Sequence, residues 1–86
     1  MNEKNINSIK TLNELKTGEK GTIVSFSDDG GVELKRHLLG MGFIKGSKII
    51  LEKVAPLGDP IKLRLKGSSI CIRKNEAKNI KVQVMN

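Results

Sequence analysis

A chain of 86 residues with a formal net charge of +7 has room for one domain and not for two. Its 37% apolar content with nine glycines excludes a disordered chain and suits short strands joined by tight turns. No apolar run approaches the roughly 20 residues that span a bilayer, so the chain is not read as membrane-inserted.

The N-terminal stretch Met1 to Ser8 is polar and reads as a disordered lead without the apolar centre of a secretory signal. Residues 9–86 read as the single domain. Within Ile9 to Gly18, Leu12 and Leu15 lie three apart, as on one helical turn that docks both leucines on the core, and Gly18 stops it. Gly21 to Phe26 is β-branched and aromatic, the composition of a strand. Asp28-Asp29-Gly30-Gly31 ends it as a turn.

Val32 to Met41 carries the helical period. Val32, Leu34, Leu38, Leu39 and Met41 share one half of the wheel, and Glu33, Arg36 and His37 the other. Gly40 and Gly42 stop this helix. Ser47 to Val54 is a second strand, followed by Ala55-Pro56-Leu57-Gly58-Asp59-Pro60 as a connection. Ile61 to Lys66 alternates strictly, with Ile61, Leu63 and Leu65 inward and Lys62, Arg64 and Lys66 toward water. Gly67-Ser68 turns the chain back into Ser69 to Arg73. Asn75 is expected to cap one turn, Glu76-Ala77-Lys78, before a last strand from Ile80 to Val84. The expectation is a mainly β domain, a five-stranded SH3-like barrel with one α-helix between the first and second strands. Closure would hide the edges of so short a sheet.

Chemistry is sparse. One Cys and one His, Cys71 and His37, do not supply the three or four ligands of a zinc site. His37 reads as a solvated histidine, and Cys71 as a half-buried filler opposite Ile70 and Ile72. A lone cysteine forms no intrachain disulfide, which suits a reducing, cytoplasmic compartment. Asp28-Asp29 lacks the spaced oxygens of a calcium loop. No glycine-rich turn is followed by Lys-Ser or Lys-Thr, so no phosphate loop is present. With no Trp, no Tyr and two Phe, both read as core, the aromatic grooves of proline-rich-peptide binders and of base-stacking RNA modules are excluded. Lys62, Arg64, Lys66, Arg73 and Lys81 form either an ordinary solvated sheet face or a phosphate-tracking stripe. The charge itself favours an acidic partner, whether nucleic acid, an anionic membrane face or an acidic protein.

The residues also carry a family pattern. The order is Leu12-x-x-Leu15-x-x-Gly18-x-x-Gly21-x-Ile23, then Leu38-Leu39-Gly40-Met41-Gly42-Phe43-Ile44-x-Gly46. Pro56-Leu57-Gly58-Asp59-Pro60-Ile61, Gly67-x-x-Ile70-x-Ile72-Arg73 and Glu76-Ala77-x-x-Ile80-x-Val82 follow. From Leu12 to Val84 the chain resembles FeoA, the small cytoplasmic companion of the ferrous-iron transporter FeoB. The departure is Gly40, where many relatives carry a longer polar residue. The resemblance implies an SH3-like barrel and a non-enzymatic accessory role in ferrous-iron uptake, through contact with the cytoplasmic part of a FeoB-like GTPase transporter. Regulation of the GTPase, assembly and structural adaptation are all open as the action. Transition-metal binding is associated with the family as a whole, and no cofactor is implied. A related domain ends iron-dependent repressors, but this chain carries no helix-turn-helix for DNA, so a repressor is not expected.

Gly18, Gly21, Gly42, Phe43, Gly46 and Gly67 read as structural motif positions. The Pro56 to Pro60 loop is either a rigid connection or a presented apolar tip. On the second reading Leu57, Gly58, Asp59 and Lys62 form the partner-binding set. The alternative function is an SH3-like nucleic-acid or ribosome-associated module using the cationic face; no nucleic acid is expected on the leading one. The ligand inventory yields one prediction. The purified chain binds neither ferrous iron nor zinc with micromolar affinity and does not hydrolyse GTP alone. A calorimetric one-to-one site, or phosphate release above a heat-denatured control, contradicts it.

Overall fold

The computed structural model describes residues 8–85. It contains six antiparallel strands: β1 (Ile9–Thr11), β2 (Lys20–Phe26), β3 (Lys48–Val54), β4 (Ile61–Leu65), β5 (Ser68–Ile72) and β6 (Ile80–Met85). Two α-helices, α1 (Gly31–Gly40) and the four-residue α2 (Lys74–Ala77), join them. Short 3-10 turns lie at Leu12–Glu14 and Asp28–Gly30. The lead expected over Met1 to Ser8 falls, Ser8 apart, outside the described residues. Ser8 contributes its carbonyl, which accepts from the Val84 N–H at 2.8 Å.

The sheet order is β1-β6-β2-β3-β4-β5. Two expectations change. The strands number six because Ile9–Thr11 pairs with β6 before the leucine turn begins, so α1 sits between the second and third strands. The sheet is also open, since β1 and β5 are its two edges and do not pair. Leu12, Leu38 and Ala77, from the helical turns, are buried in the same cluster as the strand side chains. These turns cover the core where strand pairing would otherwise have to, so closure is not needed.

Alternation builds that core. Ile61, Leu63 and Leu65 on β4 are buried while Lys62 and Arg64 are exposed, as the strict period of two requires. Ile49, Leu51, Ile80, Val82 and Val84 follow the same rule from β3 and β6. Phe43, fully buried, is the largest side chain at the centre. Bulges after Ile23 in β2 and after Leu51 in β3 shift the register and bend the sheet. Gly21 allows β2 and β6 to approach closely, because a Cβ there would lie 3.2 Å from the Gln83 carbonyl oxygen.

The helical half-wheel is buried less than expected. Leu38 is buried, and Leu34 and Met41 pack partly against the core. Val32 remains 69% and Leu39 45% exposed. A helix resting on a sheet by a narrow stripe covers less than a full half of its surface. Phe26 is half-buried rather than central, being the last residue of β2 beyond the bulge. The hairpin turn is Lys66-Gly67, one residue earlier than expected, with both residues at positive φ.

The alternation in β4 gives a direct test. Leu63→Ala is expected to lower stability by about 2–5 kcal/mol, and Lys62→Ala by less than about 0.5 kcal/mol. Urea titration of the two variants measures both, and equal losses would contradict the register.

Candidate functional site

The connection from β3 to β4 is held from inside. The Gly58 N–H donates to the Ala55 carbonyl at 2.7 Å, and the Ala55 N–H to the Pro60 carbonyl at 3.1 Å. The first bond closes a β-turn with Pro56 at its second position, where the proline ring presets φ. Leu57 stands at the third position and is 95% exposed, the most exposed large apolar side chain among the described residues. The peptide bond between Asp59 and Pro60 is cis.

Asp59 does more than close the loop. Its Oδ1 accepts from the backbone N–H of Lys74 at 2.9 Å, across the gap between the loop and the start of α2. The first N–H groups of a helix lack intrahelical partners, and a carboxylate there satisfies one of them. Glu76 completes the turn by accepting from the Arg73 N–H at 3.0 Å. The expected cap, Asn75, lies inside α2 instead, and its carbonyl accepts from the Asn79 side-chain amide at 2.9 Å. The acceptor comes from a loop 15 residues away, which local spacing does not reveal.

Lys62 joins this region from β4. With Lys53, Ala55, Pro56, Pro60 and Cys71 it lines a shallow hollow of about 210 Å³ beside the loop. The structure therefore places Leu57, Gly58 and Asp59 on one loop and Lys62 at its base, and Leu57 does not line the hollow. The motif positions lie elsewhere: Gly18, Gly42, Gly46 and Gly67 adopt positive φ in turns, Gly21 is in β2, and Phe43 is in the core.

On the other side of the loop is a larger cleft of about 480 Å³, lined by residues that include His37, Asp59, Cys71 and Glu76. His37 Nε2 lies 3.5 Å from Glu76 Oε2. Cys71 is exposed rather than half-buried. Nothing in their sequence spacing brings these four side chains together; folding of α1 and α2 around the end of β5 does. Among the described residues no three His, Cys, Asp or Glu side chains are grouped to hold a metal ion.

The outward face of β3 and β4 is cationic, and Arg64 within it is paired. Arg64 Nε donates to Glu52 Oε2 at 2.9 Å, and its other arm donates to the Gly67 carbonyl at 3.2 Å. The Ser69 hydroxyl donates to Glu52 Oε1 at 2.9 Å. The Ser69 bond, then the Arg64 bond and charge, hold the Glu52 carboxyl below its ordinary value despite some desolvation.

The fold is a small domain built on one antiparallel sheet, with an apolar-tipped loop and a basic outer face. Its residues 10–84 match the model of the FeoA domain, and the chain belongs to the FeoA family. It is 37% identical over 75 residues to the "Putative Fe(2+) transport protein A" of Campylobacter jejuni, a match covering 87% of this chain and 99% of that protein. It is 32% identical over 74 residues to the "Fe(2+) transport protein A/Fe(2+) transporter FeoB fusion protein" of Porphyromonas gingivalis. That match covers 86% of this chain and only 8% of the fusion protein's length. Among solved structures, Stenotrophomonas maltophilia FeoA complexed with zinc, described as a procaryotic SH3 domain protein, superimposes with a TM-score of 0.74 at 27% identity. The superposition covers 85% of this chain and 88% of that one. The family is thus one linked to Fe(2+) transport, and the fold is SH3-like. No helix among the described residues is long and apolar enough to cross a membrane.

The bond between loop and helix makes a prediction of its own. Asp59→Ala leaves the Lys74 N–H without its carboxylate and is expected to cost about 1 kcal/mol. Faster amide exchange at Lys74 would accompany the loss, and unchanged exchange there would contradict the capping role.

Proposed function

We propose that this chain is a non-enzymatic accessory protein of ferrous-iron uptake that works in the cytoplasm by docking on the cytoplasmic part of a FeoB-like GTPase transporter. The observation that carries the reading is Leu57, an apolar side chain exposed at the tip of a loop closed by its own hydrogen bonds. Turn tips are ordinarily polar. A turn ordered before binding loses less conformational freedom on docking, and one apolar anchor in a partner pocket can carry much of the affinity. The fused relative, in which an A-type domain and FeoB share one chain, supports the choice of partner. A shared chain raises the effective concentration of one module near the other.

The other residues take supporting roles. Gly58 permits the turn, with φ at 90°. Asp59 contributes at the rim through the carboxylate oxygen not engaged by Lys74. Lys62 lies at the base of the loop with Lys53 beside it, and long-range attraction from such cations speeds encounter with an acidic surface more than it deepens affinity.

Leu57→Asp is expected to leave the melting temperature unchanged and to weaken binding to the transporter's cytoplasmic part at least tenfold, about 1.4 kcal/mol. Lys62→Glu is expected to slow association and flatten its salt dependence while changing dissociation little. Calorimetry and stopped-flow association measure these effects. Normal binding by Leu57→Asp would reduce the loop to a connection, and unfolding of that variant would return Leu57 to the core.

A further inference from the structure

The open sheet leaves β5 as an edge, and its hydrogen-bonding register can be worked out from the hairpin. Lys66 and Gly67 both have positive φ, 53° and 82°, as a type I′ two-residue turn requires. The residues flanking such a turn, Leu65 and Ser68, exchange hydrogen bonds. Antiparallel pairs alternate, so Ile70 with Leu63 and Ile72 with Ile61 are also bonded. Ser69 and Cys71 are then the residues whose N–H and C=O groups point away from β4.

The outward groups on either side of these two are already engaged. Before them, the Gly67 carbonyl accepts from Arg64. After them, the Arg73 N–H donates to Glu76 and its carbonyl accepts from Ala77. Among the described residues, the outward N–H and C=O of Ser69 and Cys71 have no protein partner and no strand beyond them. A short gap with two donors and two acceptors is left between two capped ends.

The two faces beside this gap differ. On the outer face Arg64 lies opposite Ser69, both bonded to the Glu52 carboxylate, and Lys62 lies opposite Cys71 with Lys53 next across the sheet, so these two lysines, unpaired among the described residues, face the Cys71 end. Lys66 and Arg73 flank the strand, both exposed. Of these five cations only Arg64 forms an ion pair among the described residues. On the inner face Ile70 is half-buried, and the adjoining cleft combines the apolar Ile72, Met41 and Pro60 with the polar His37, Asp59 and Glu76. A strand added here alternates in the same way, with every second side chain on the cationic face and the others toward Ile70, Ile72 and the mouth of the cleft.

We propose that the β5 edge takes an extended segment of a partner protein, in which acidic and apolar residues alternate, as an added strand bonded to Ser69 and Cys71. Main-chain bonds supply the docking, and side-chain alternation supplies the selection. A second copy of this chain is a poor occupant, because pairing β5 with itself would bring Lys62, Lys66 and Arg73 of each copy together; lysines on an edge strand oppose self-pairing. The proposal does not rest on the Leu57 loop.

The test follows amide hydrogen exchange residue by residue in the full chain, with a synthetic peptide of alternating glutamate and valine and a control of alternating lysine and valine. At saturation the glutamate peptide is expected to slow exchange at Ser69 and Cys71 at least tenfold, the scale of a newly formed main-chain bond. Ser68, Ile70 and Ile72, already bonded to β4, change little, and the lysine peptide has no effect. Cys71→Pro removes an outward donor at an edge position that tolerates proline and is expected to weaken peptide binding about tenfold or more. Unchanged exchange at Ser69 and Cys71, or equal binding of both peptides, would overturn the proposal. So would protection of those two amides that rises with protein concentration in the absence of peptide, which would assign the edge to a second copy.

Discussion

One sheet has to bend far enough to wrap a single core, and the rest of this structure depends on that bend. In a domain of this size most apolar residues must be spent on one core. The two bulges, in β2 and β3, supply local twist. Gly21 lets β2 and β6 lie close enough to continue it. Phe43, Leu38 and Leu12 then fill the concave side from outside the sheet. A flat version of the same six strands would expose one whole row of these side chains.

Bending also divides the surface. The concave side is spent on packing, which leaves the convex face, the loops and the two edges facing outward. The convex face of β3 and β4 carries the charge, and Glu52 moderates it by holding Arg64 and Ser69 together. That network orients the guanidinium along the sheet and toward the Gly67 carbonyl. Of the cations that remain, Lys53 and Lys62 lie near the β3–β4 loop, Lys66 lies at the turn into β5, and Lys48 lies at the far end of β3.

The loop and α2 act as one unit. Asp59 ties the β3–β4 connection to the first N–H of α2, and Glu76 ties α2 back to the end of β5. The same two carboxylates line the larger cleft with His37 and Cys71. A surface assembled from a loop, a single helical turn and a strand end is held by few bonds, each spanning a boundary between elements. The chain belongs to a family linked to Fe(2+) transport, and at this corner a turn closed by the Gly58 to Ala55 bond carries the exposed Leu57.

Much of this was legible in the residues alone. The strict alternation of Ile61 to Lys66 determined which side chains of β4 are buried, because a period of two admits only two faces. Pro56 and Gly58 marked the turn that presents Leu57, and Leu12 and Leu15 marked a docking turn, since these signals act within a few residues. The family pattern was equally readable. Tertiary structure alone decided the rest. Ile9–Thr11 is a strand because β6 lies beside it, and the sheet stays open because helical turns cover the core in place of strand pairing. Val32 and Leu39 stay exposed because the helix meets the sheet along a narrow stripe. Asp59 rather than Asn75 serves α2, and His37 meets Glu76, through contacts between segments distant in the chain. Local propensity and periodicity are properties of neighbouring residues, whereas edges, caps from afar and clefts exist only once separate segments share space.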